Sequence, residues 1–321
     1  MSGLVGHTTY GLLVARELQR RTSAVAPLLD RHRPDFLCGC YLGCDIQCMP
    51  EARCRDTGRE VGFGTVPLDA SPITGGPVAP WSLEHAGESY RPDVIHRLFY
   101  GRSHLVFGWK GDDVALRVPW EHLADYCSLA IRDAADTERS LAYAIGWMVH
   151  IAGDSLIKSV QPGITMRLLD GVYTPRNRIL QDRFAFHVIG RELAVDWPGT
   201  FRDMAATPVE PFQCHCMRID EPSGELARVF AAGWRPELEP LLQAVLTENR
   251  RWLPHHADDV LRSVRPDDEE SRRASGGLTH DAMLALAEAA GMRRTLDVIT
   301  AEAVDLIERT LERVPDWPGR R

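Results

Sequence analysis

Apolar and polar positions alternate with a helical period along most of the chain. Leu12, Leu13, Ala15, Leu18, Val25 and Leu28 form a broad stripe with charged residues between them, which predicts a helix over 7–30. Pro34 breaks that pattern, and a second short helix is predicted over 35–48, ended by Pro50. The stretch 51–93 is rich in Gly, Pro, Asp and Ser ("GFGTVPLDASPITGGPVAPW") and predicts a long irregular loop. A loop of that length inside a compact domain is usually functional or disordered.

Helices are predicted again at about 94–108, 119–133 and 136–160, the last stopped by "QPG". Residues 163–182 read as mixed loop, 183–194 as helix and 195–222 as irregular, with prolines. Amphipathic helices follow at 223–232, 235–249 and 254–264. The charged segment "RPDDEESRRASGG" (265–277) predicts a mobile linker. Helices at 278–291 and 294–313 close the chain, with Thr279 as an N-cap and Gly291 as a C-cap. There is no internal repeat, no alternating strand series and no βαβ rhythm, so the predicted fold class is all-α. Residues 1–222 read as a helical core and 223–321 as a C-terminal helical extension packed on it.

One segment breaks its own pattern. In "LAYAIGWMVHIAGDSLIK" (141–158) an almost wholly apolar helix carries His150 and Asp154. Four residues apart, they share one face. Burying an imidazole and a carboxylate is costly, so something must compensate. A hydrogen bond between them, a partner elsewhere and a shared metal ion are the three solutions. The run is shorter than the roughly 18 residues a spanning helix needs and carries His and Asp, so it does not predict a membrane helix. The first residues, "MSGLVGHTTYGLLVARELQRR", lack the pattern of a secretory signal, and a cytoplasmic protein is predicted.

Charge narrows the partners. The formal net charge of -8 argues against a general binder of nucleic acid or anionic membrane, which long-range repulsion would disfavour. The 44% hydrophobic and 26% charged residues are those of an ordinary soluble globular protein. Of eight cysteines, Cys38, Cys40, Cys44, Cys48 and Cys54 crowd into "CGCYLGCDIQCMPEARC", and Cys214 and Cys216 flank a His in "CHC". Without a signal sequence, reduced thiols are expected. The spacings contain no CxxC pair, and Cys38, Cys44 and Cys48 read as small core residues.

Other residues of ligand type accompany the buried pair. His7 opens the first helix, Asp45 ends the second, and His96 and His104 stand eight apart in "VIHRLFYGRSHLVFGW", about two helical turns. Each has an ordinary alternative in capping, packing or solvation. Together with His150 and Asp154 they make the His/Asp set that zinc prefers. His255 and His256, followed by Asp258 and Asp259, read as solvated surface at a polar helix start, and His215 in "CHC" is ambiguous.

The order of these motifs carries a resemblance. An N-terminal His, then "PDFL-G---D-I", then His, then "A-A-GW--H--GD" resembles the zinc-dependent phospholipase C and S1/P1 nuclease superfamily. The match is best over 7–19, 34–46 and 141–154, and looser over 94–109, roughly the first half of the chain. The resemblance implies an all-helical phosphoesterase fold with a zinc cluster. It implies Asp45, one of His96 or His104, His150 and Asp154 as ligands of a first zinc. His104 is favoured by its distance to the helix motif. Asp154 would bridge to a second zinc held by His7.

The chain also departs from the family. The family's further His after the motif Asp falls in "SLIKSVQPG", at Val160 and Gln161. Its later H-x3-E/D pair has only "FHVIGREL", where His187 precedes Arg191 and Glu192 at the wrong spacing. The N-terminal Trp amine of secreted members is absent. A one- or two-metal site is therefore expected, with zinc first and manganese or iron as alternatives.

The resulting expectation is a metal-dependent hydrolase of a small phosphorylated metabolite, without nucleic-acid partners or stable membrane insertion. Asp45 would ligate the metal or orient the nucleophilic water. Lys158, Arg97 and Arg102 would hold the phosphate, and Trp81 and Tyr90 in the long loop would contact substrate. Three rivals are a diverged metalloenzyme with another reaction, a scaffold that only binds a ligand, and a sensor built on the Cys38–Cys54 cluster.

Overall fold

The computed structural model describes residues 3–43, 50–54, 60–62, 78–104, 120–132, 137–157, 175–217, 236–314 and 316–317. The fold is all-α: thirteen α-helices dominate the described residues. They are α1 (Leu4–Arg20), α2 (Ala26–Arg31), α3 (Arg33–Tyr41), α4 (Pro92–Ser103), α5 (Leu123–Arg132) and α6 (Glu138–Ile157). Then come α7 (Pro175–Phe184), α8 (Trp197–Ala206), α9 (Glu210–Met217), α10 (Glu239–Ser263), α11 (Glu269–Ala274), α12 (His280–Ala289) and α13 (Met292–Glu312).

The core is built around α6. Every residue from Ser140 to Ile157 is buried except Ser155, so this helix has no solvent face. α3, α1 and α13 all pack on it, and α13 also touches α1 and α5. The contact with α3 is the closest, and two glycines explain it. A Cβ at Gly39 would stand 2.0 Å from the Tyr143 carbonyl oxygen, and one at Gly146 would stand 1.9 Å from that of Phe36. Only bare Cα atoms let these backbones cross at that separation.

Several predicted boundaries move for identifiable reasons. Thr22, at φ 53°, divides the predicted first helix into α1 and α2. Pro34 does not break a helix; it lies in the first turn of α3, where its missing N–H costs nothing. The same holds for Pro198 in α8, whose N-cap Asp196 accepts from the Gly199 N–H, and for Pro211 in α9. These prolines start helices in a segment predicted to be irregular. Similarly, α7 occupies part of the predicted mixed loop. It continues through a π-helical turn (Ala185–Ile189) into Gly190–Glu192. Its buried Asn177, Gln181, Asp182 and Arg183 mask the apolar period that would have revealed it.

α10 is one helix of 25 residues running through Pro254, where two were predicted. The predicted mobile linker contains α11, capped by Asp268 and tied down by the buried Ser271, whose Oγ donates to the Ser263 carbonyl. Thr279 caps α12 as predicted, and Gly291 takes φ 80°, the left-handed turn that ends it.

The predicted loop 51–93 holds short strands. β1 (Pro50–Cys54) pairs antiparallel with β2 (Glu60–Gly62) and β3 (Val78–Pro80). β4 (Leu83–His85) and β5 (Glu88–Tyr90) form a hairpin whose two turn residues, Ala86 and Gly87, both have positive φ. Strands of three residues are too short to show an alternating pattern. The predicted helix at 223–232 lies outside the described residues.

Candidate metal centre

Two helices and one helix end bring the site together. His150 and Asp154 lie on α6, His7 in the first turns of α1, and His104 directly after α4. Gly153 lies against the Tyr10 ring, 2.6 Å from where its Cβ would stand, which seats α1 on α6 beside His150. The Trp147 Nε1–H donates to the Ser103 carbonyl at 2.6 Å and so pins the end of α4 to α6. His104 follows immediately. His7, His104, His150 and Asp154 are all buried.

The tautomer of His150 follows from one contact. Its Nδ1 lies 2.8 Å from the Cys40 carbonyl oxygen, which can only accept, so Nδ1 carries the proton. Burial, and after it the neighbouring His7, push the imidazole pKa well below its ordinary value. The ring is therefore neutral, and Nε2 presents its lone pair to the interior. That is the state in which imidazole binds a metal, with its other nitrogen fixed by a backbone carbonyl.

Two partners face this lone pair. His104 Nε2 lies 2.9 Å away and Asp154 Oδ2 3.9 Å away. His104 Nε2 is also 3.4 Å from Asp154 Oδ2, while its Nδ1 is 2.9 Å from Ser103 Oγ. On the other side, His7 Nε2 lies 3.4 Å from Asp154 Oδ1, and its ring stacks on His150 with centroids 4.0 Å apart. Asp154 thus turns its two oxygens to different histidines.

The spacing fits an ion. Four ligand atoms set tetrahedrally at roughly 2.0–2.1 Å from zinc stand about 3.3 Å from one another. The distances above, 2.9 to 3.9 Å, fall on both sides of that value. Ligand atoms of His7, His150 and Asp154 all lie within 4.8 Å of one another, so this buried group could hold a metal ion.

Among the other predicted site residues, His96 is buried on α4 but is not a member of the His7–His150–Asp154 group. Asp45 and Lys158 lie outside the described residues, and of Arg97 and Arg102 only the backbone within α4 is described. Tyr90 hydrogen-bonds Glu88 on its own hairpin, and Trp81 packs half-buried against the core. His187 serves elsewhere: its Nε2 donates to the Val264 carbonyl at 2.7 Å, at the end of α10. Cys38 and Cys40 are buried free thiols, and Cys44 and Cys48 lie outside the described residues.

The sequence reading missed four residues around His7. Tyr41 is fully buried with its ring 6.0 Å from that of His7, and its hydroxyl lies 3.1 Å from His256 Nε2. His256 is therefore not solvated surface; burial and the charge of Arg178 hold it neutral. Asp182 lies beside the start of α1, its Oδ2 2.7 Å from where a Cβ at Gly3 would stand, and burial raises its carboxyl against the opposing pull of Arg178. No local motif links Tyr41 to His256, 215 positions later. The spacing of Arg178 and Asp182 was a legible signal, since four residues on a helix share a face.

No helix among the described residues is long and apolar enough to cross a membrane. Neither protein-family models, nor curated proteins, nor solved structures yield a match to this chain.

Proposed function

We propose that the protein is a metal-dependent hydrolase of a small phosphorylated molecule, with His7, His104, His150 and Asp154 holding one or two zinc ions. The observation that carries the reading is Asp154 itself. Its Oδ1 faces His7 and its Oδ2 faces His104 and His150, as a carboxylate bridging two ion positions would. The resemblance in motif order supports the phosphoester chemistry, and manganese or iron would suit the same nitrogen and oxygen donors.

Divalent ions at such a centre supply a water of lowered pKa and a counter-charge for a phosphoryl group. The chain's own contribution is orientation. Cys40 fixes the His150 ring and Trp147 fixes the end of α4 that carries His104. Asp154 supplies negative charge in a site from which water is largely excluded.

The test is elemental analysis of purified wild type beside Asp154→Ala, followed by assay of p-nitrophenyl phosphate and bis(p-nitrophenyl) phosphate. One or two ions per chain, lost in the variant together with metal-stimulated hydrolysis, is the expected result. A wild type that takes up no metal after reconstitution would end the reading, leaving a buried hydrogen-bonded cluster.

A further inference from the structure

We propose that the Ser103 hydroxyl is the positioning group that lets His104 become a metal ligand. It donates to His104 Nδ1 while Nε2 carries the ring proton, and it accepts from Nδ1 once Nε2 has given that proton up. The inference rests on the metal reading above.

The two histidines that meet at Asp154 Oδ2 are held differently. His150 Nδ1 faces the Cys40 carbonyl, which only accepts, so this ring has one neutral tautomer and its Nε2 carries no hydrogen. His104 Nε2 lies 2.9 Å from that nitrogen and 3.4 Å from Asp154 Oδ2. Both neighbours are acceptors, so the proton between the two rings belongs to His104. A neutral imidazole carries one proton, which leaves His104 Nδ1 as an acceptor, 2.9 Å from Ser103 Oγ. In this arrangement the hydroxyl donates to the ring.

A nitrogen that binds a metal cannot also carry a proton. His104 Nε2 can ligate only after its proton has passed to water and Nδ1 has taken one up, so the neutral ring changes tautomer with no net gain or loss. The new Nδ1–H then needs an acceptor in the interior, where Ser103 and His104 are 1% and 3% exposed. A carbonyl there, as at His150, would fix that tautomer permanently and set two lone pairs against each other across 2.9 Å. A hydroxyl has one hydrogen to give and two lone pairs, and rotation about its Cβ–Oγ bond exchanges the two roles without moving a heavy atom. The backbone of the same residue is fixed independently, since the Ser103 carbonyl accepts the Trp147 Nε1–H at 2.6 Å. Ser103 thus anchors the helix end through its carbonyl and follows the tautomer of His104 through its hydroxyl.

The test combines zinc affinity with imidazole spectra. Zinc is titrated against a competing chelator into wild type, Ser103→Ala and Ser103→Thr, with circular dichroism recorded on each. Long-range proton–nitrogen correlation spectra, taken above the ordinary imidazole range of about 6.5, show which His104 nitrogen carries the proton. Wild type should show Nε2–H before zinc and Nδ1–H after it. Ser103→Ala should bind zinc roughly 10–100-fold more weakly, the loss usual for a group that orients a metal ligand, and Ser103→Thr, which keeps the hydroxyl, should stay close to wild type. Equal zinc affinity in wild type and Ser103→Ala would overturn the assignment, as would a zinc-free wild type whose His104 already carries its proton on Nδ1. The wild-type spectra decide the tautomer change even if Ser103→Ala does not fold. A wild type that takes up no zinc would sink the metal reading itself, and this inference with it.

Discussion

The Nδ1–H of His150 donates to the carbonyl oxygen of Cys40 across 2.8 Å. Cys40 lies in the last turn of α3, where carbonyls have no partner within their own helix. One bond therefore satisfies an orphan acceptor and fixes which nitrogen of His150 faces Asp154. His150→Ala should lose both. Leaving the Cys40 carbonyl unpaired costs about 1–3 kcal/mol, and the proposed metal centre loses a ligand. Urea denaturation and zinc content measured on one preparation check this. A variant of unchanged stability would mean that the Cys40 carbonyl finds another partner.

That bond exists because two helices touch through glycine. Gly146→Ala places a methyl 1.9 Å from the Phe36 carbonyl, a backbone atom that cannot swing aside. α3 and α6 must separate, and Cys40 moves away from His150. The expected loss is about 3 kcal/mol or more, at the upper end for overpacking. Zinc affinity should fall too, although residue 146 binds nothing. Gly153→Ala meets the Tyr10 ring instead, which can shift, and should cost less. If the two variants were equally stable, the α3–α6 contact would not be the tighter one.

The carboxylate of Asp154 separates one-ion from two-ion occupancy. With its oxygens turned to His7 on one side and to His104 and His150 on the other, each side can be removed alone. If two ions bind, His7→Ala should lower the zinc content by one while Asp154→Asn removes both. If one binds, His7→Ala should weaken it without halving the stoichiometry. Plasma mass spectrometry on both variants distinguishes these outcomes.

Much of the fold and part of this site were legible in the chain. α6 announced itself because a helix buried on every side is apolar on every side, and His150 and Asp154 stood out against it. α7 stayed hidden for the opposite reason. Its buried face carries Asn177, Gln181, Asp182 and Arg183, so burial left no apolar period to read. α8 and α9 were missed because Pro198 and Pro211 sit in first turns, where proline starts a helix rather than ending one. Within the site, contacts made along one helix could be read, and those made across the fold, such as Tyr41 with His256, could not.

That contact has a signature in pH. His256 bonds the Tyr41 hydroxyl, and burial followed by the charge of Arg178 lowers its pKa to about 3. An unfolded chain protonates the same imidazole near its ordinary value of about 6.5. Above that value the ring is neutral in both states and contributes no pH dependence. As pH falls from there toward 3, the unfolded state takes up a proton that the folded state refuses, so stability declines. His150, His187 and His280 are lowered in the same direction and add to the slope. Urea midpoints of the metal-free protein should be flat in this contribution from pH 8 to 7 and drop between about pH 6.5 and 5. His256→Gln keeps a polar group facing Tyr41 but cannot titrate, so its midpoints should fall less steeply over that interval. An unchanged slope would show that His256 takes up its proton in the folded protein as readily as in the unfolded chain.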